Sequence, residues 1–188
     1  MLSTTLLLAA SMVVGQAEAK SPMKPIVYEH LKALECFVGK WESKATLPDD
    51  TPQSEKLGEL SGKEVVIRST VRWTPGMCAQ IENANYNIRG VEVIKGTAIR
   101  AWDQAAKNIC SHTFTSHKGT WAGVWVKVGD KWIHEFEGTD LDDKKVTGRW
   151  EITFENDDCY VIKEARSVDG EQRPEVVWTC RRIQDEDE

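Results

Sequence analysis

The sequence predicts an all-β domain: a single antiparallel up-and-down barrel of about ten strands, entered through one short helix. Three observations predict it. Strand-length runs follow one another from "VGKWESKATL" at 38–47 to "PEVVWTCRR" at 174–182. The connections between them are mostly short and turn-prone, as in "TPG", "RG", "GD", "NDD" and "DG", which suits hairpins rather than crossovers. No long helical period appears beyond the first part of the chain. A meander of this length tends to curl, and closing it removes its exposed edges.

Taken in order, residues 1–19 read as a signal peptide. A run of small and apolar residues, "LLLAASMVVG", leads to Ala17-Glu18-Ala19, a small-x-small cleavage pattern. The run is too short, at about 10 to 14 residues, to span a bilayer. The mature chain is expected to begin near Lys20, secreted or periplasmic, with no membrane insertion after cleavage. Residues 20–183 form one domain, and the acidic end "QDEDE" at 184–188 reads as a solvated, disordered tail.

Within the domain, Ile26, Leu31, Leu34 and Phe37 recur at helical spacing and predict a short helix over 25–35. Strand runs then follow at 63–73, 77–88, 91–103, 108–116, 119–128, 131–138, 145–155 and 159–168, before the last at 174–182. Alternation is clearest in "KVTGRWEITFE", where Val146, Trp150, Ile152 and Phe154 share one face opposite Thr147, Arg149, Glu151, Thr153 and Glu155. One packed face and one wet face suit a barrel or sandwich. Only "PDDTPQSEKLGELSG" is a long connection, a lid or a plain loop.

Composition narrows the partners. A net charge of −6 argues against nucleic acid. Eight Trp spread along the chain indicate large rings filling one interior. The Cys count, five in an exported chain, permits two bridges with one thiol over. No C-x-x-C and no zinc-type Cys/His spacing occurs, so no metal and no cofactor is expected. No G-x-S-x-G elbow, Walker loop, H-E-x-x-H or dinucleotide fingerprint is present, and no catalytic residue is assigned. "DLDD" at 140–143 lacks the Gly and closing Glu of a calcium loop and reads as a solvated turn. "IENANYN" is unusually polar for a strand; it lines a polar cavity or marks a wet strand near a rim.

Gly39 and Trp41, a Gly-x-Trp in the first strand after a short helix, resemble lipocalins and the wider calycin group. The resemblance implies that Trp41 closes the barrel floor against an Arg from a late strand, Arg181 or Arg182. A broader resemblance runs over 35–182. "FVGKWES", "GTAIRAWDQAAKNICSHTFTS", "GTWAGVWVKVGDKWI" and "VDGE" are similar to an uncharacterised secreted bacterial domain that often follows a SnoaL-like domain. No SnoaL-like half is present in this chain.

Turn arithmetic places side chains across strands. A two-residue turn at Gly129-Asp130 sets Trp125 opposite His134, Gly123 opposite Phe136 and Trp121 opposite Gly138. A second such turn at His117-Lys118 would set Phe114 opposite Trp121, His112 opposite Gly123 and Cys110 opposite Trp125. The result is one wall holding His112, Trp121, Trp125, His134 and Phe136. It is either packed core or the lining of a ligand pocket, rings for stacking and His for a polar anchor. His112 and His134 would stand roughly 8 to 11 Å apart, too far for one zinc. A turn at Asp169-Gly170 would set Cys159 opposite Cys180, within reach of a disulfide.

The leading expectation is non-catalytic binding of a small, partly apolar ligand inside the barrel. An enzyme using His134 or His112 as general base, and a filled barrel acting as an interaction module, are the alternatives. The sequence leaves the oligomeric state open.

Overall fold

The computed structural model describes residues 26–49, 51 and 58–184. The signal-peptide reading, the start near Lys20 and the acidic end from 185 onward lie outside the described residues, as does the middle of the long connection.

The described residues begin with helix α1 (Ile26–Leu31), which tightens into a 3-10 turn over Lys32–Phe37. Strands β1 (Gly39–Thr46), β2 (Glu64–Trp73), β3 (Ala79–Ile88), β4 (Val91–Asp103), β5 (Asn108–Thr115), β6 (Thr120–Val128), β7 (Lys131–Thr139), β8 (Lys145–Asn156) and β9 (Cys159–Val168) follow as a meander. The two-residue β10 (Glu171–Gln172) extends the end of β9, and β11 (Val176–Arg182) completes the set. Every pairing is antiparallel. Strand β9 bonds both β8 and β11, and β11 bonds β1, so ten strands close into a barrel.

Two-residue turns behave as their sequences require. Asp169 and Gly170 both take positive φ (52° and 84°), as do Arg89 and Gly90 (54° and 76°), the conformation whose twist matches flanking strands. At Gly129-Asp130 the turn sets Trp125 opposite His134 and Trp121 opposite Gly138 as expected.

Two registers differ from the sequence reading by one residue. The β5–β6 turn holds three residues, Ser116 to Lys118, with Lys118 left-handed at φ 71° and Thr115 N–H donating to Gly119 O at 2.9 Å. This is a standard three-residue hairpin, and it sets Thr113, not Phe114, opposite Trp121 and Ser111, not His112, opposite Gly123. Because side chains alternate with period two, the slip turns Cys110, His112 and Phe114 to the outer face. His112 and Phe114 are exposed, whereas Ile109, Ser111 and Thr113 are buried.

The second shift follows Arg173-Pro174-Glu175. Pro174 carries no ladder donor, and β11 resumes one residue out of step, with Val176 opposite Glu164 and Cys180 opposite Tyr160. Cys159 stands opposite Arg181, so the two cysteines project to opposite faces, and both are free thiols. The expected Cys159–Cys180 bridge is not formed.

One end of the barrel is plugged. Leu31, Leu34 and Phe37 are buried in a cluster with Trp41, Trp125, Trp132, Ile152 and Tyr160. The Phe37 ring meets Trp125, Trp132, Phe154 and Tyr160 edge-on at centroid distances of 5.6, 5.9, 5.1 and 5.7 Å. Side chains buried this fully contribute about 1.5–3 kcal/mol each. Gln80 Nε2 donates to Leu34 O at 2.8 Å, and Trp73 Nε1 donates to Glu35 Oε2 at 2.8 Å, pinning the helical segment to β2 and β3.

The Gly-x-Trp pair belongs to the same floor. Trp41 is fully buried and donates from Nε1 to Phe37 O at 2.8 Å. Arg182 lies over its ring at 4.3 Å and donates from Nη1 to Val38 O at 2.6 Å. Gly39, at φ 135°, leaves room for that guanidinium, which a β-carbon there would strike. Arg182 fills the late-strand role; Arg181 is exposed on the outer face.

Candidate functional site: a polar chamber above an aromatic floor

Above the floor the barrel is not filled, and the cause is a contrast in side-chain size between its two sides. On β3 and β4 the inward positions at mid-strand include three small residues, Ala84, its partner Gly96, and Ala98. Facing them, β6, β7 and β8 contribute Trp121, Trp125, His134 and Trp150. Between the two sides lies an inner chamber of about 50 Å³, lined also by Tyr86, Arg100, Ser111 and Thr113. Tyr86 and Trp121 line both this chamber and a larger cavity of about 260 Å³ at the barrel end opposite the helix. Leu47, Leu60, Val65, Ile88, Ile94 and Val176 give the outer cavity its apolar wall, with Asp140, Lys144, Arg166 and Arg173 near the mouth.

The chamber's chemistry centres on Arg100. Its side chain is buried, its Nη2 donates to Glu82 Oε2, and its guanidinium lies over the Trp125 ring at 4.7 Å. The charge is therefore matched inside the protein, by an ion pair on one side and a ring face on the other. Arg100 Nε and Nη1, Trp125 Nε1 and Trp150 Nε1 reach no acceptor among the described residues.

His134 is 2% exposed and stacks on Trp125 at 4.4 Å. Its Nε2 lies 2.9 Å from Ser111 Oγ. Burial, reinforced by the positive charge of Arg100, pushes the imidazole down to about 3, so it is neutral at pH 7. Higher in the barrel, Glu164 is buried, accepts from Trp178 Nε1 at 2.8 Å and lies 3.7 Å from Arg166 Nη1. Burial raises the Tyr86 phenol, and Glu82 and Glu164 raise it further, which keeps it protonated.

Of the residues expected to line a pocket, Trp121, Trp125 and His134 line the inner chamber, while His112 and Phe136 border an open concavity of about 730 Å³. Phe136 points inward but packs with Val146 and Val168 beside Trp121 and Trp150, and does not line the chamber. His112 lies on the outer face. Sequence reasoning missed Arg100, Ser111 and Trp150, and left Glu82 and Tyr86, both in "IENANYN", undecided between cavity and rim. A signal for Arg100 was present: it shares strand parity with Gly96, Ala98 and Trp102, a charge on the same side as small inward residues.

Asp140 Oδ1 accepts from the backbone of Asp142 and Lys144 at 2.8 and 2.9 Å, so the acidic turn organises itself. Among the described residues no group of three or more His, Cys, Asp or Glu is placed to hold a metal, and no helix is long and apolar enough to cross a membrane.

No family model and no curated protein matches the chain. Solved structures do share its fold. The S-type phycobiliprotein lyase CPES from Guillardia theta aligns with a TM-score of 0.53 and 12% identity, over 86% of this chain and 99% of that one. Closed strand order, floor and structural likeness together make this a calycin-like barrel.

Proposed function

We propose that the protein is exported and binds a small, partly apolar ligand inside its barrel without transforming it. The observation that carries this reading is the adjacency of the two cavities, an apolar outer cavity and a chamber of buried polar groups that share Tyr86 and Trp121 as lining residues. An apolar wall with a few convergent polar groups is the usual composition of a small-molecule site. A volume of about 260 Å³ suits a guest below drug size. The similar barrel is named a lyase of phycobiliproteins; what it shares with this chain is the scaffold.

The non-catalytic part of the reading rests on His134. A general base at neutral pH needs a pKa near 7, and burial holds this imidazole near 3. Its partner is a serine hydroxyl, not a carboxylate that would stabilise the imidazolium. His112, the other candidate base, faces outward.

Native mass spectrometry of the protein recovered from its exported compartment tests the proposal. The expected result is a chain beginning near Lys20 with one small molecule bound, lost in a Val176→Asp variant that retains its fold. A full-length chain would overturn export. A ligand-free mass, together with failure of the purified protein to take up any apolar probe, would overturn the binding reading.

A further inference from the structure

Glu164 stands out in the outer cavity. It takes an inward position on β9, and of the charged residues lining that cavity it alone is buried. Leu47, Val65, Ile94 and Val176 line the same space. A carboxylate has about four acceptor sites. One is filled, by Trp178 Nε1 at 2.8 Å from Oε2. Arg166 Nη1 lies 3.7 Å from Oε1, outside hydrogen-bond range, and more than a third of the Arg166 side chain is exposed. A pair of that length with a solvated cation offsets only part of a buried charge. Oε1 accepts no hydrogen bond among the described residues, yet it keeps accessible surface, unlike the sealed nitrogens of Arg100, Trp125 and Trp150. That surface opens on the cavity that Glu164 lines.

The neighbouring groups suit a cation. The Tyr86 hydroxyl, which the charges of Glu82 and Glu164 both reach, is likewise not sealed. Tyr86, Trp121 and Trp178 line the cavity, and each keeps accessible surface there. A ligand carboxylate reaching inward would confront Glu164. One held at the mouth by Lys144 or Arg173 would lay its apolar tail against a buried charge. A neutral apolar guest would strip water from Glu164 and replace it with nothing. Water satisfies the open oxygen but brings no compensating charge. An ammonium, protonated at pH 7 as a lysine side chain is, donates to that oxygen, offsets the charge and gains the ring faces.

We infer that the outer cavity takes a protonated amine with a compact apolar body, its ammonium held by Glu164 and faced by Tyr86, Trp121 and Trp178. This rests on the binding reading above and specifies its ligand class.

The test titrates the folded protein, labelled with ¹⁵N at tryptophan and ¹³C at isoleucine and valine methyls, with hexylamine, 1-hexanol and hexanoate at pH 7. The Trp178 indole signal is assigned from Trp178→Phe. The expected result is that hexylamine shifts the Trp178 indole N–H and the Val176 methyls saturably. It should bind about tenfold more tightly than 1-hexanol or hexanoate. Glu164→Gln, which keeps an acceptor for Trp178, should lower hexylamine affinity about tenfold and leave 1-hexanol within about twofold. The net charge of −6 attracts any amine to the surface, and the cavity methyls and this variant separate such attraction from binding inside. 1-Hexanol or hexanoate binding as tightly as hexylamine overturns the amine assignment and leaves the barrel-binding reading standing. Unchanged hexylamine affinity in folded Glu164→Gln overturns Glu164 as the anchor. Should that variant fail to fold, the comparison of probes on the unaltered protein decides alone. If no probe moves the Ile94 or Val176 methyls, the binding reading itself has failed and the amine site falls with it.

Discussion

Ser111 Oγ and His134 Nε2 meet at 2.9 Å although they stand on β5 and β7, with β6 between them. The contact exists because the intervening inward position is Gly123. A β-carbon there would lie 2.4 Å from His134 Nε2 and 2.5 Å from the Glu135 carbonyl oxygen. Gly123→Ala should therefore destabilise the protein by about 1–3 kcal/mol through overpacking, read from urea unfolding. Ser111→Ala should cost about 1–2 kcal/mol, since it removes the partner of a buried ring nitrogen. If the two effects add fully in the double variant, the residues do not act through one contact.

Acid should weaken the fold through the same imidazole. The folded pKa of His134 lies near 3 and the unfolded value near 6.5. Between these values the unfolded chain binds the extra proton, so stability is fully present above about pH 6.5 and falls as pH drops toward 3. The loss is on the order of a few kcal/mol. Measured by unfolding free energy against pH, His134→Gln should show a shallower slope across that window. An unchanged slope would mean that the ring is already solvated in the native state.

Arg182 and Arg181 adjoin in sequence and differ in consequence. Arg182 spans the floor, over Trp41 and against the Val38 carbonyl and Asp158, with Nε 3.0 Å from Asp158 Oδ1. Arg182→Lys should cost about 1–3 kcal/mol, because an ammonium cannot keep the flat stack and the forked donation together. Arg181→Lys should stay within about 0.5 kcal/mol. Thermal unfolding of both variants distinguishes them, and equal effects would remove Arg182 from its closing role.

The thiols should separate by reactivity. Cys78 is exposed, whereas Cys180 is fully buried against Ser43 and Tyr160, and burial pushes its thiol up to about 12. Iodoacetamide should label Cys78 in the native protein and reach Cys180 only on unfolding. Peptide mapping without reductant should find no Cys159–Cys180 link, because the β9–β11 register sets them on opposite faces. Finding that link would require a one-residue shift of β11.

Local chemistry in the sequence determined the ten strands, the entering helix and the Gly129-Asp130 register, while the resemblance to lipocalins pointed to Gly39 and Trp41 at the floor. Alternation, turn residues and ring content are all properties of short windows. The cavity wall was legible where a turn was read with the right length, which placed Trp121, Trp125 and His134 together. The tertiary structure decided the rest. One additional loop residue, with Lys118 left-handed, exchanged His112 for Ser111 on the inner face, and the break at Pro174 parted Cys159 from Cys180. Period-two alternation makes each of these a change of face, so an error of one residue inverts the lining of a strand. Arg100 and Glu82, on the paired strands β4 and β3, meet Trp150 of β8 only when the barrel closes, because β8 lies on the facing wall. No window of sequence contains that meeting.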